Sequence, residues 1–290
     1  MKEKINNKFP DFSVLMSVYK NEKPNYLDKA LNSIENQTVI PKEIIVVQDG
    51  PISQQLSAIL KKHQAAFTNN FRIIKNKENQ GLGASLRLGT KKVTTNWVAR
   101  MDSDDISVPE RFEKQLNMIK KIPELALIGG QINEFATNVG NIVGSRNVPT
   151  SEKEIKKFAK WRSPFNHPTI MMRKDVLQKV GGYVPFGNLE DYYLWVRVIS
   201  SGYKVINIPD ILVYMRVDEG MYNRRGKYSN ILYFYKLRKY LKNEEMITFY
   251  EQVIGNIVMT INIIAPNSIR KILYQKILHR NMKMNDNDKE

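Results

Sequence analysis

Four short apolar runs, each ending in polar residues and separated by helix-like patterns, constrain this chain more than any other feature. They are Phe12 to Val18 (FSVLMSV), Glu43 to Gln48 (EIIVVQ), Phe71 to Lys75 (FRIIK) and Trp97 to Met101 (WVARM). Their β-branched and apolar content reads as buried strands. The segment after Pro24 places Leu27, Ala30, Leu31 and Ile34 at helical spacing, and Leu82 to Val93 and Pro109 to Ile122 are similar. The order β-α-β-α-β-α-β predicts a parallel sheet wound by crossover helices. Ligands collect beyond the carboxyl ends of such strands, so Tyr19 to Asn21, Asp49 and Asp102 to Asp105 are expected to converge on one crevice.

The second half is less regular. Leu125 to Asn133, Asn141 to Arg146, Thr169 to Arg173 and Lys204 to Ile208 read as strands, with helices near Ser151 to Trp161 and Glu190 to Ser201. A mixed continuation of the sheet is expected, giving an α/β domain over residues 1–216. From about Tyr214 the β signals stop and three helical stripes begin, the clearest being Ile247, Tyr250, Ile254, Ile257, Ile261 and Ile264. Residues 217–290 therefore read as a helical, basic appendage, and only the polar end from Asn281 reads as disordered.

Composition narrows the classes. The chain has 290 residues, 42% of them hydrophobic, enough for a sizeable core. Zero cysteines exclude disulfides, thiolate metal sites and a cysteine nucleophile, and fit a reducing compartment. The start shows no secretory signal, so a cytoplasmic location is expected. Val253 to Ala265, interrupted by Gly255, Asn256, Thr260 and Asn262, falls short of the ~20 residues of a membrane span. The net charge of +16 fits either a solvated surface or attraction to polyanions. The stretch Arg224 to Lys242 favours an anionic interface. It holds Arg224, Arg225, Lys227, Lys236, Arg238, Lys239 and Lys242 among Tyr228, Tyr233, Phe234, Tyr235 and Tyr240, with no acid. Its stripe of Tyr228, Ile231, Phe234, Leu237 and Leu241 suits a helix lying in a membrane interface, or one packed on the domain with its basic face in water.

The run Arg100-Met101-Asp102-Ser103-Asp104-Asp105 is the most informative stretch. Three carboxylates within four residues repel one another unless a cation or hydrogen-bond donors neutralise them. A hard divalent ion, Mg²⁺ or Mn²⁺, taking one or two carboxylates and phosphate oxygens, is one solution. An acidic turn in which Asp105 or Ser107 caps the following helix is the other.

Together with Ser17-Val18-Tyr19-Lys20-Asn21-Glu22, Val47-Gln48-Asp49-Gly50, Asn79-Gln80-Gly81, Gly181-Gly182-Tyr183 and Glu190-Asp191-Tyr192-Tyr193-Leu194-Trp195, this run forms an ordered set. The set resembles the inverting family 2 glycosyltransferases of GT-A fold, in particular bacterial exopolysaccharide, capsule and O-antigen transferases, over about residues 10–216. The resemblance implies a Rossmann-like nucleotide-diphospho-sugar fold whose nucleotide-binding half spans about 10–105 and acceptor half 106–216. It implies a UDP-sugar donor and a lipid-linked or oligosaccharide acceptor and no nucleic acid as partner; with the basic aromatic stretch, peripheral association with an anionic membrane is expected. Asp49 would contact uracil, Asp102 the ribose or uridine side, and Asp104 the metal. Tyr19, Asn21, Glu22, Asn79, Gly81, Arg100 and Ser103 would line the donor pocket, and Asp191 would be the catalytic base. His167, Gly182, Glu190 and Trp195 would be acceptor or donor-sugar contacts, although His167 also suits a structural turn, Gly182 a helix end, Glu190 helix-dipole stabilisation and Trp195 the core. The Gln-x-x-Arg-Trp motif of the processive members is missing, which implies addition of a single sugar. A sugar-phosphate nucleotidyltransferase and a non-catalytic polyanion-binding protein are the alternatives; the first lacks its glycine-rich basic loop, and the second leaves the acids unexplained.

Overall fold

The computed structural model describes residues 9–67, 70–217 and 228–265. Arg224, Arg225, Lys227, the third helical stripe and the end from Asn281 lie outside them. The four leading runs form β1 (Phe12–Tyr19), β2 (Glu43–Asp49), β3 (Asn70–Lys75) and β4 (Trp97–Met101). Between them run α1 (Pro24–Glu35), α2 (Gln54–Ala66) and α3 (Leu82–Lys92). Pro24 opens α1, where a missing N–H costs nothing, and Ser53 caps α2 by accepting from the Leu56 N–H at 3.2 Å. The sequence pattern implied α2 without locating it. Its buried face is only Leu56, Leu60 and His63, so a histidine breaks the apolar period.

The remaining elements are β5 (Ile106–Ser107), α4 (Arg111–Lys121), β6 (Leu125–Phe135), β7 (Ile142–Arg146), α5 (Glu152–Phe158), β8 (Met171–Arg173), α6 (Lys174–Lys179), α7 (Glu190–Ser200) and β9 (Lys204–Arg216). One mixed sheet runs in the order β3-β2-β1-β4-β8-β6-β9-β5, with β7 on β6. Strands β1 to β4 pair in parallel, whereas β8 is antiparallel to both β4 and β6. The chain leaves β1 toward β2 on one side and reaches β4 on the other, so the β1/β4 boundary is a topological switch point. Apolar side chains from both sheet faces fill two cores, one beneath α1, α2 and α4 and one beneath α3, α6 and α7.

Strand β9 extends eight residues beyond the expected stop at Ile208. Pro209 has no N–H to give a ladder, which is why the sequence pattern ends there. The strand passes it at a register irregularity, where Gly129 pairs Asn207 and Gln131 pairs Ile211.

The tail forms α8 (Ser229–Asn243) and α9 (Phe249–Ile264). Leu237 and Leu241 of α8 are buried against Tyr192 and Val196 of α7, so this half of the α8 stripe packs on the α/β domain instead of facing a membrane. Arg238 is likewise internal: its guanidinium donates to the carbonyls of Lys160 at 3.0 Å, Gln252 at 3.3 Å and Glu251 at 2.5 Å. Gly255 makes room for it, since a Cβ there would lie 2.0 Å from Arg238 Cζ. Among the described residues no helix is long and apolar enough to cross a membrane.

His63 staples α1 to α2, with Nδ1 2.8 Å from Glu35 Oε1 and Nε2 3.1 Å from Asp28 Oδ1. Burial opposes its protonation, but the hydrogen bonds and charges of Glu35 and Asp28 outweigh it and hold its pKa above the usual histidine value. The raised folded-state pKa gives stability that is complete below the ordinary histidine pKa and lost as pH rises through the folded one. Urea denaturation across that window should show falling stability in the wild type, and His63→Gln should flatten the dependence.

Candidate functional site

The crevice begins at β1 and β4, whose ends lie side by side through the Met16–Met101 pairing. Tyr19, the last residue of β1, and Asn21 beyond it are exposed at the rim. Glu22 turns inward, and its Oε2 accepts from the Ser103 hydroxyl at 2.5 Å. Ser103 itself is buried. Thus the β1 and β4 loops are tied together directly.

At the end of β2, Asp49 is buried and its carboxylate accepts four hydrogen bonds. Oδ1 takes the Asn76 side chain at 3.1 Å and the Gln80 N–H at 2.8 Å; Oδ2 takes the Asn79 side chain at 2.9 Å and the Gly81 N–H at 3.0 Å. These fill the acceptor positions of a carboxylate. A nucleobase N–H would have to displace one of them, so the geometry shown is that of a turn organiser. Gly50 (φ 83°) permits it, because a Cβ there would meet the Asn79 nitrogen at 2.7 Å. Gly81 (φ 85°) then starts α3.

Arg100, on β4, is fully inside. Burial disfavours its charge, but the Asp102 carboxylate with which it is paired more than compensates and keeps it protonated. Its Nε and Nη1 have no hydrogen-bond partner in the described structure. Behind it lies a second buried guanidinium, Arg111, which donates to the Arg100 carbonyl at 2.8 Å and to Gln115 Oε1 at 3.2 Å. Burial and then the charge of Arg100 bring its pKa down to about 9. The acids answer these cations. Asp104 is raised to about 7 by burial and then by Asp102 and Glu22, and no lysine or arginine forms an ion pair with it among the described residues. Asp105 is pushed well up by burial and by Asp104, while its Oδ1 accepts from the Arg216 N–H at 2.8 Å.

Arg216 and Arg111 are the contributors that sequence reasoning missed. Arg216 Nε donates to the Asp104 carbonyl at 3.2 Å, and its guanidinium carbon lies 3.6 Å from the Tyr26 ring centre and 4.4 Å from that of Phe135. Only the unforeseen extension of β9, pairing with β5, brings it there. Arg111 resembles any basic residue at a helix start, and no spacing marks it as internal.

The opposite wall is the start of α7. Glu190 and Asp191 occupy its first turn, where the helix dipole favours negative charge. Glu190 packs toward α3, and a Cβ on Gly83 would sit 3.4 Å from Glu190 Cβ. Its Oε2 is buried without a partner, and burial followed by the Asp191 charge raises its pKa to about 7. Asp191 is half-buried beside it. Arg100 and Asp102 act electrostatically on Glu190, and Asp191 and Arg100 both act on Tyr183, so both walls share one field.

Three expected sugar contacts resolve otherwise or more sharply. Trp195 is wholly buried, edge-on to Phe165 and His167, and has no surface to offer a sugar. Gly182 closes α6 in a Schellman arrangement. Its N–H bonds Leu177 O at 2.7 Å, the Gly181 N–H bonds Gln178 O at 3.0 Å, and its carbonyl accepts from Arg197 at 2.7 Å. Both polar atoms of Gly182 are therefore engaged within the chain. His167 sits 3.0 Å from the Tyr183 hydroxyl through Nε2, and burial and then Arg100 drive its pKa well below normal, leaving a neutral imidazole beside the site.

Two stability measurements check this electrostatic picture. Glu190→Gln should raise stability by about 1–3 kcal/mol near about pH 8, with the gain vanishing below the ordinary glutamate pKa, because the folded chain no longer holds an unpaired ionised carboxyl. Asp49→Ala should cost about 2–4 kcal/mol by chemical denaturation, since buried donors lose their acceptor.

The sequence model for "Glycosyl transferase family 2" matches residues 13–181. The amylovoran biosynthesis glycosyltransferase AmsE of Erwinia amylovora is 35% identical over 91% of this chain and 98% of its own length. The Escherichia coli UDP-Gal:alpha-D-GlcNAc-diphosphoundecaprenol beta-1,3-galactosyltransferase is 32% identical over 93% of this chain and 98% of its own. Among solved structures, Staphylococcus aureus TarS 1-349 in complex with UDP-GlcNAc superposes with a TM-score of 0.65 at 19% identity, covering 95% of this chain and 76% of that one. The mixed sheet and flanking helices are thus those of the GT-A-like transferases, and by its sequence this chain belongs to glycosyl transferase family 2.

Proposed function

We propose that this protein is a surface-polysaccharide glycosyltransferase that moves one hexose or N-acetylhexosamine from a UDP-sugar to a saccharide carried on a lipid diphosphate, at the cytoplasmic face of the cell membrane. The observation that carries the reading is the meeting of Arg100, Asp102 and Asp104 with Glu190 and Asp191 across the switch-point crevice, within one electrostatic field. The names of the relatives in polysaccharide and lipid-linked synthesis support the substrate classes.

Within this reading the Asp49-organised turn shapes the uridine pocket together with Tyr19, Asn21, Asn79 and Gly81. Arg100 supplies fixed positive charge beneath the diphosphate, and Glu22 and Ser103 fix the acidic loop. The donor set suits a divalent cation. Asp104 offers a hard oxygen ligand, and a cation would relieve its repulsion from Asp102 and Glu22, which Arg100 offsets only in part. Among the described residues no three acidic or histidine side chains converge as a ready cage, which fits a metal completed by substrate oxygens. When bound, Mg²⁺ or Mn²⁺ would stabilise the charge of the departing diphosphate.

Asp191 accepts the proton of the acceptor hydroxyl as that oxygen bonds to the anomeric carbon, on the face opposite the breaking bond to the diphosphate. Inversion follows, giving a β product from an α-linked donor. Glu190, titrating near 7, holds an acceptor or donor hydroxyl beside the base. Residues 1–216 form the catalytic unit, with its acceptor half over about 106–216, and 217–290 a helical, basic C-terminal region; the missing Gln-x-x-Arg-Trp motif supports addition of one sugar at a time.

The test is UDP release from a panel of UDP-sugars with Mg²⁺ or Mn²⁺ and a lipid-diphosphate saccharide. Release from one donor, stimulated by acceptor and lost in Asp104→Ala, is expected. Asp191→Asn should lower transfer by roughly 10²-fold or more while UDP binding stays near wild type. Loss of UDP binding in Asp191→Asn would remove that residue from the base role, and an α product from an α-linked donor would overturn the single displacement.

A further inference from the structure

Helix α9 is built inside out. From Val253 to Ile264 its exposed positions are Val253, Ile254, Ile257, Val258, Ile261 and Ile264, all apolar, with Ile257 53% and Ile261 62% exposed. Its polar residues lie on the half-buried side. Thr260 Oγ1 is 2.9 Å from the Tyr235 hydroxyl of α8, Glu251 pairs with Lys160 at 3.0 Å, and the carbonyls of Glu251 and Gln252 receive Arg238. Water on a continuous face of isoleucine and valine is unfavourable by about 25 cal/mol per Å² of apolar area, so an apolar phase is the natural contact for this face.

We propose that this face of α9 docks on an anionic lipid bilayer, with the helix lying in the interface. The flank decides among occupants. Lys236, Lys239 and Lys242 are exposed on the adjoining α8. Exposed apolar side chains on one helix and exposed lysines on the helix packed against it suit an acyl layer beneath anionic headgroups. A second copy would instead bring together two chains that each carry a net charge of +16. At about 1.5 Å per residue α9 is about 24 Å long, shorter than the hydrocarbon core, which fits lying along the surface and not crossing it. The membrane-facing element is thereby α9, with α8 as its bracket to the catalytic domain. The inference deepens the lipid-linked acceptor reading but is tested without turnover.

The experiment is co-sedimentation of the full chain with phosphatidylcholine vesicles, with and without about 30% phosphatidylglycerol, alongside UDP binding and light-scattering mass. The wild type should bind the anionic vesicles and bind them less at high salt. Ile257→Glu/Ile261→Glu, at exposed positions, should keep the wild-type melting profile and UDP affinity yet weaken vesicle partitioning by roughly tenfold or more. Lys236→Gln/Lys239→Gln/Lys242→Gln should weaken it several-fold and reduce the salt response. Wild type that ignores anionic vesicles, or an isoleucine double variant that binds undiminished, overturns the proposal. A dimer dissociated by that double variant overturns it in favour of a second copy, and a monomer without vesicle binding in favour of another cover such as residues 266–290. Vesicle binding without UDP binding would instead sink the glycosyl-transfer reading alone.

Discussion

The architecture of the crevice depends on one buried positive charge. Arg100 sits on the strand next to the switch point, out of water, with two guanidinium nitrogens unpartnered. Such a charge is tolerable only among opposite charges, and Asp102 in direct contact, with Asp104, Asp105 and Glu190 acting at longer range, provides them. The carboxylates in turn outnumber the cations on the acidic loop, and Asp104 keeps its proton to near neutrality. The site is therefore neither a neutral pocket nor a closed salt bridge. It is a strained balance that added positive charge at Asp104 would relax.

Strands β1 to β4, the mixed continuation and the convergence of Tyr19, Asp49 and Asp102 to Asp105 were legible, because each rests on local periodicity or on polar residues that directly follow apolar runs. The misses share a cause: tertiary placement overrode a local signal. Pro209 looks like a strand end, yet a register irregularity lets β9 continue to Arg216. For Trp195 and Gly181-Gly182 the local pattern left two roles open, and the structure takes the structural one in each: the inner face of α7 is core, and the two glycine amides end α6. Arg111 and Arg238 look like surface charge, and each proves to be an internal donor to backbone carbonyls. The full set of partners around Asp49 was also hidden, since Asn76, Asn79, Gln80 and Gly81 lie 27 to 32 residues away.

The sequence stripe on α9 illustrates a different limit. Period alone establishes that one helical face is apolar, not which way that face points. Here the polar edge of α9 is fixed by Arg238 and Tyr235 from α8, so the apolar edge is turned outward. Membership in glycosyl transferase family 2 displaces the nucleotidyltransferase and polyanion-binding alternatives, and it does so without bearing on that orientation.

The bond between the Asp105 carboxylate and the Arg216 amide joins residues 111 apart in sequence. Closure of so long a loop is entropically slow to nucleate, and it requires the chain through β9. During synthesis the acidic loop emerges early, with Arg100 as its nearest cation, and Asp105 acquires its backbone partner only when the last strand docks. The family signature ends at residue 181, but the physical unit that holds the acids in place ends at 216. A chain that ends before residue 216 therefore carries every motif of the crevice yet lacks the strand amide that the Asp105 carboxylate accepts from.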